Sequence, residues 1–320
     1  MNRRELLKIA TVVGGGGVIA HLLPPSVARA YALVQQTAAP ADPLAAMRAQ
    51  MAAVPIEVTT LTDTLTMLSG PGGNVVVLNG RDGKVVVDTF IQGAFNPLKQ
   101  RLDALGSAPI TWAIDTHWHF DHADNNESFR KAGAQVLAHE NTRKRLSEPH
   151  DLLGMHFNPA PPGAMPTQTF AQTHALKANG EQIDLGYIQP AHTDTDIYIH
   201  FTRGNVLHLG DTFFNGAYPF IDASTGGRIN GMIAAADRAL KMSNGATRIV
   251  AGHGPLGDRA ALVKYRDVLA TVRDRVQKLK SAGRTEKEVV AAKPTADLDA
   301  TWGKGFMQPD VFVTIVYNTL

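Results

Sequence analysis

No cysteine occurs anywhere in the 320 residues. Disulfides are therefore excluded, and no thiolate can act as nucleophile or metal ligand. Charge is also sparse, at 19% of residues with a formal net charge of +2. Even this excess is local: Arg3, Arg4, Lys8 and Arg29 stand against Glu5 alone in residues 1–30, and beyond them acids and bases nearly balance. The body thus lacks the basic bias of a nucleic-acid partner. No Gly-x-Ser-x-Gly elbow is present to suggest a serine nucleophile. Nor is there a fixed-period repeat or a long low-complexity tract. The apolar stretch from Ile9 to Leu23 is short for a membrane span, which needs about 20 residues, and contains four consecutive glycines and His21.

What the N-terminus does contain is an export pattern. A basic start, an apolar middle and the small-residue site Ala28-Arg29-Ala30 read as a cleaved signal over residues 1–30. Arg3-Arg4 followed by Leu6-Leu7-Lys8 resembles a twin-arginine signal, which carries proteins already folded. The expected location is the periplasm, with no stable membrane anchor after cleavage. Residues 31–54, rich in Ala, Gln and Pro, read as a linker or loosely packed arm, and residues 55–320 as one domain with C-terminal helices. A 44% hydrophobic content lets that domain bury a sizeable core.

Strand and helix patterns alternate through the body. "NVVVLNGRDGKVVVDTF" is two β-branched runs around a turn, a hairpin signal, and "DIYIHFTRGNVLHLGD" reads as a second hairpin. Helices are expected in "NPLKQRLDALG", "NNESFRKAG", "GMIAAADRALKMSNG" and the long "RAALVKYRDVLATVRDRVQKLKSAG", with strands at "PITWAIDTH", "AQVLAHE" and "TRIVAGHG". A terminal helix is expected in "PDVFVTIVYNTL". This order points to α/β layers with mixed sheets. The stretch 147–170 contains five prolines and reads as a long irregular loop, a candidate lid.

The densest chemistry lies in "IDTHWHFDHADNN". His117, His119 and Asp121 alternate and His122 follows at once, all just past the carboxyl end of a predicted strand, where ligands favour binding in α/β sheets. Alternation puts His117 and His119 on one side, while the adjacent Asp121 and His122 diverge. One short turn can therefore serve two metal positions. His192, Asp211 and His253 fall at three further strand–loop junctions in glycine- or proline-rich context. Imidazole and carboxylate are the ligands expected for zinc and similar divalent ions.

The ordered motifs "THWHFDH", "AHTDTD", "LGDTFF" and "AGHGP" resemble the metallo-β-lactamase fold superfamily, over most of residues 55–260. The resemblance implies an αββα sandwich with two divalent metal ions, zinc by preference, at one edge. His117, His119 and His192 would hold one metal and Asp121, His122 and His253 the other. Asp211 would bridge them, and Asp88 would orient the ligand loop. It also implies a hydroxide shared by the two ions as nucleophile, with Asp121 orienting it as well as binding metal. Lactamases proper usually carry Cys or Ser where this chain has Asp211. That aspartate is commoner in glyoxalase II, lactonase and phosphodiesterase branches. Redox members tend to carry Glu where this chain has His119, with an added flavodoxin domain.

The substrate expected is a small molecule. Trp118, Phe214, Asn215 and Tyr218 are candidates for a partly apolar pocket, the alternative being that the aromatics pack the core beneath the site. Such a pocket suits a cyclic amide or ester, β-lactams first and lactones second. Thioesters and phosphodiesters stay open, as does a non-catalytic protein that kept the fold. His139, His174, His200 and His208 read as structural, His150 and His156 as surface histidines, and Asp194 and Asp196 as turn-bonding residues.

Overall fold

A computed structural model of the chain describes residues 42–320. The export signal expected over residues 1–30 and the beginning of the arm lie outside the described residues. The remainder of the arm is helical: α1 (Pro43–Ala52) starts with Asp42 capping Ala45 N and proline at the first position, both favourable for a helix start. Arg48 ties this helix to the body by a two-pronged pair with Asp124 at 2.7 and 2.8 Å.

Two sheets form the body. The first contains β1 (Glu57–Thr60), β2 (Leu65–Gly70), β3 (Gly72–Leu78), β4 (Lys84–Val87), β5 (Ile110–Ile114), β6 (Gln135–His139) and β9 (Gln168–Phe170), adjacent in that order. The β3–β4 hairpin is antiparallel, with Val76 opposite Val87, as its two β-branched runs predict. From β4 onward the pairing is parallel. The second sheet runs β10 (Thr173–Ala178), β11 (Glu181–Tyr187), β12 (Ile197–Phe201), β13 (Val206–His208) and β14 (Arg248–Val250). The expected β12–β13 hairpin is present and antiparallel, and β13 pairs with β14 in parallel.

Strand alternation sorts the side chains into layers. Val76 and Leu78 face inward and meet Ile183, Ile199, Phe201 and Val250 between the sheets. Val75 and Val77 point the other way, onto Leu98 and Leu102 of α2 (Phe95–Ala104) and Phe129 of α3 (Asn126–Lys131). On the opposite outer face, Leu207 and Ile249 are covered by α5 (Ile229–Met242), α6 (Arg259–Ser281) and α8 (Pro309–Thr319), which contribute Ile233, Leu262, Leu269 and Phe312. Two shorter helices are α4 (Glu140–Leu146) and α7 (Glu286–Ala291). The expected αββα sandwich is the architecture. Each fully buried Val, Leu, Ile or Phe in these layers contributes about 1.5–3 kcal/mol of transfer free energy.

Two segments differ from expectation. Residues 147–170 are not irregular: they contain the small hairpin β7 (His150–Leu152) and β8 (Met155–Phe157), then β9. The β10–β11 hairpin has no counterpart in the predicted elements. Its β10 strand lies at the sheet edge and alternates exposed with half-buried residues, so it lacks the apolar period that marks a strand. Among the described residues no helix is long and apolar enough to cross a membrane.

Candidate metal centre

The carboxyl ends of β4, β5, β13 and β14 open onto one edge of the sandwich, and the ligand-bearing loops leave from them. After β5 the chain passes through Thr116 and His117 into a single helical turn, Phe120–Ala123, for which His119 is the residue before the first turn. His192 sits in the connection between β11 and β12. Its loop is pinned by Asp196, which accepts from His192 N at 2.8 Å, Thr193 N at 2.9 Å and Thr193 Oγ1 at 2.6 Å. This is the turn-bonding role its sequence context suggested. Asp194 likewise turns away from the centre and pairs with Arg145 at 2.7 Å. Asp211 lies in the short turn Gly210–Thr212 after β13. His253 follows β14, where Asn74 Nδ2 ties down Ala251 O and Gly254 O, each at 2.9 Å. Gly252 permits the closest approach here, since a Cβ on it would strike Asp211 Oδ1.

These loops bring together all seven residues singled out as ligands. Donor atoms of His117, His119, His192 and Asp211 lie within 4.8 Å of one another, as do those of Asp121, His122 and His253. Asp211 stands between the groups: its Oδ2 is 3.5 Å from His192 Nε2 and from His253 Nε2, and its Oδ1 is 3.2 Å from His122 Nε2. Asp121 Oδ2 is 3.2 Å from His253 Nε2.

Hydrogen bonds on the far side of four of the five rings decide which nitrogen faces the centre. His192 Nδ1 donates to Phe220 O at 2.8 Å, His122 Nδ1 to Asp88 Oδ2 at 2.8 Å, and His119 Nε2 to Asp222 Oδ2 at 3.2 Å. Thr116 Oγ1 gives its proton to Asp88 Oδ2 at 2.9 Å, so it accepts from His117 Nδ1 at 3.0 Å. With these protons committed outward, lone pairs converge: His192 Nε2 and His119 Nδ1 are 2.8 Å apart, His117 Nε2 and His119 Nδ1 3.1 Å. Facing lone pairs repel unless a cation lies between them. Asp211 Oδ1 is also buried without a hydrogen-bond partner. Nitrogen and oxygen donors, an orphaned carboxylate oxygen and converging imidazoles fit divalent metal ions.

The electrostatics differ between the two groups. Burial lowers His192 to about 4, only partly offset by Asp211, and burial with His122 alongside pushes His117 well below its ordinary value. Both rings are thereby kept neutral at pH 7, the form that can offer a lone pair to a cation. Burial also opposes charge on Asp121 and His253, but here their partners outweigh it. His122 and His253 bring Asp121 down to about 2, and Asp211 with Asp121 lifts His253 to about 10. Such carboxylates are poised for a cation.

The pocket candidates divide. Trp118 is buried, its ring 4.8 Å from that of His119 and 4.5 Å from that of His150, and it packs with Leu152 and Phe157 of the β7–β8 hairpin. Phe214 stacks on His253 at 5.3 Å, and Asn215 Nδ2 donates to Pro255 O at 2.9 Å beside it. Tyr218 does not join them. It is buried away from the centre, stacked on Phe312 of α8 at 4.6 Å, with its hydroxyl donating to Asp299 Oδ1 at 2.9 Å. A buried tyrosine needs a partner for its hydroxyl, and the C-terminal helices supply both that and an apolar wall. Phe220 takes the rim place instead, with ring distances of 6.0 Å to His119 and 5.8 Å to His192. His139 and His208 serve backbone carbonyls, as structural histidines do. His156 is exposed and bonded to Asp151, whereas His150 is partly buried against Trp118. Sequence reasoning passed over Asn74, Thr116 and Asp222. Thr116 could have been noticed beside His117, but nothing local marks the other two.

A model of the metallo-beta-lactamase superfamily matches residues 68–264. A probable metallo-hydrolase of Methanocaldococcus jannaschii is 27% identical over 200 residues, which cover 60% of this chain and 92% of that protein. Solved structures agree on the fold. A metallo-beta-lactamase from Pontibacter korlensis is similar at a TM-score of 0.57 and 19% identity, over 67% of this chain and 99% of its own. A stereoselective inverting sec-alkylsulfatase from Pseudomonas sp. is similar at 0.64 and 16%, over 86% of this chain but 51% of that one.

Proposed function

The chain belongs to the metallo-beta-lactamase superfamily, and we propose that it is an exported dinuclear zinc hydrolase of small cyclic amides or esters. The observation that supports two ions is the pair of donor groups with Asp211 between them. His117, His119 and His192 would hold one ion, Asp121, His122 and His253 the other, and Asp211 both. Two such ions would supply a water with a pKa lowered to about 7 and a Lewis acid for the developing oxyanion. The protein's part is orientation. Asp88 and Asp222 hold their histidines with lone pairs inward, and Asp121, partly open to solvent, is placed to accept a proton from an attacking water.

The rim supports a neutral carbonyl substrate. Phe214, Phe220 and Trp118 line the histidines, and the nearby Arg145 and Arg48 are engaged by Asp194 and Asp124. β-Lactams are the first choice, because an exported enzyme meets them before they reach their targets, and lactones the second. The purified protein is expected to contain about two zinc ions per chain by elemental analysis. It should also show its highest kcat/KM on a penam, a carbapenem or an acyl homoserine lactone. A glutathione thioester, bis-p-nitrophenyl phosphate and a secondary alkyl sulfate complete the panel. Failure to take up metal after reconstitution ends the reading. Turnover of the phosphate or sulfate ester alone overturns the substrate class and leaves the metal centre standing.

Export has its own test. Changing Arg3 and Arg4 together to lysine should leave the precursor uncut inside the cell, visible as a larger band in the cytoplasmic fraction. Normal appearance of the mature protein in the periplasm would exclude the twin-arginine route.

A further inference from the structure

Two of the three histidines in the first group are gripped by one short segment far away in sequence. Phe220 O accepts from His192 Nδ1 at 2.8 Å, and Asp222 N donates to His192 O at 2.9 Å. Arg228 N donates to Ala191 O at 2.8 Å. The same Asp222 reaches across to His119, with Oδ2 3.2 Å from Nε2. Residues 220–228 thus hold the backbone and ring of His192 and the ring of His119 at once.

The surroundings of the Asp222 carboxylate leave no freedom. Oδ1 accepts from Ser224 N at 3.0 Å and from Ser224 Oγ, and Oδ2 accepts from Thr225 Oγ1 at 2.7 Å besides His119. Asp222 is buried, and one of its donors, Ser224 N, is a backbone group that can only donate. An anionic acceptor on both sides is what this cradle demands.

We propose that Asp222 is a positioning residue for the first metal position, fixing His119 in the tautomer whose Nδ1 lone pair faces His117, His192 and Asp211. This builds on the metal-binding reading above. A charge-assisted bond from Nε2 both locks the ring and raises the basicity of Nδ1. Asp222 makes no bond to Asp121, His122 or His253, so its effect belongs to one position only.

Asp222→Asn isolates the point. The amide oxygen must turn toward Ser224 N, which places the NH2 group against His119 Nε2. That nitrogen then has to accept, and the proton moves to Nδ1, the metal-facing atom. The test uses the full chain with 15N-labelled histidine. Spectra of the metal-free protein report the His119 tautomer, and stepwise titration with Zn(II) and Co(II) reports the affinity of each position. In the variant, His119 is expected to carry its proton on Nδ1. The first position should lose about 10- to 100-fold in affinity while the Asp121–His122–His253 position stays within about threefold. An unchanged tautomer with unchanged affinity at the first position overturns the proposal, and so does equal weakening at both. Should the asparagine variant fail to fold, Asp222→Glu keeps the charge and displaces it. It is expected to retain the tautomer with weaker first-position binding, and wild-type affinity there overturns the proposal. A wild-type chain that takes up no ion removes the metal reading, while the tautomer shift still decides the role of Asp222.

Discussion

Asp211→Ala is expected to empty both metal positions and abolish hydrolysis. Its two oxygens lie 3.2 Å from His122 Nε2 and 3.5 Å from both His192 Nε2 and His253 Nε2, so each group of donors loses a member when the carboxylate goes. The lone pairs of His117, His119 and His192 would then face one another without the anion that offsets a cation's charge. The fall in kcat/KM should far exceed the roughly 10- to 100-fold cost of losing an outer hydrogen-bond partner. Metal content measured beside activity checks this directly. A variant that keeps two ions and full turnover would show that Asp211 bridges nothing.

The largest effect on stability is expected from Asp88→Ala. This carboxylate is fully buried and takes three donors: Thr116 N at 2.8 Å, Thr116 Oγ1 at 2.9 Å and His122 Nδ1 at 2.8 Å. Leaving a buried donor without a partner costs about 1–3 kcal/mol, so the three together amount to about 3–9 kcal/mol, with part recoverable by Thr116 turning its hydroxyl elsewhere. Against a typical stability of about 5–15 kcal/mol that is a major fraction. Urea unfolding of the metal-free protein should show the midpoint fall. Asp88→Asn should lose less, because asparagine also tolerates the positive φ of 64° found there and keeps one acceptor. An unchanged midpoint in the alanine variant would mean that water satisfies these donors and that Asp88 carries no such burden.

The sequence made the inner sandwich legible for a physical reason. Strands buried on both faces, such as β3 and β4, must be continuous apolar runs, and the metal chemistry is concentrated just past the next strand, β5, in "HWHFDH". Edge pieces were not legible. β10 and the β7–β8 hairpin bury few side chains, so no period marks them. Tyr218 shows a second limit. Its place in the aromatic run after Asp211 says it is near the centre, but only the packing of α8 decides that its ring turns toward Phe312 and leaves the rim to Phe220. Asp222 shows a third, being 103 residues from the histidine it holds. Contacts of that separation leave no local pattern to read.

The two groups of donors share an origin that bears on how the molecule comes apart. His117, His119, Asp121 and His122 leave the first sheet, whereas His192, Asp211 and His253 leave the second. An ion held by either group would consequently be a rivet through both layers, and neither layer could slide or peel from the other while it stayed bound. Ligands that bind only the native state stabilise it by an amount that grows with the logarithm of their concentration over Kd. A rivet does something more when the sheets must part before the chain unravels, since the ions then leave ahead of the transition state and the unfolding barrier rises. Durability of the metal-loaded chain would then depend less on the depth of the native well than on how slowly its ions let go.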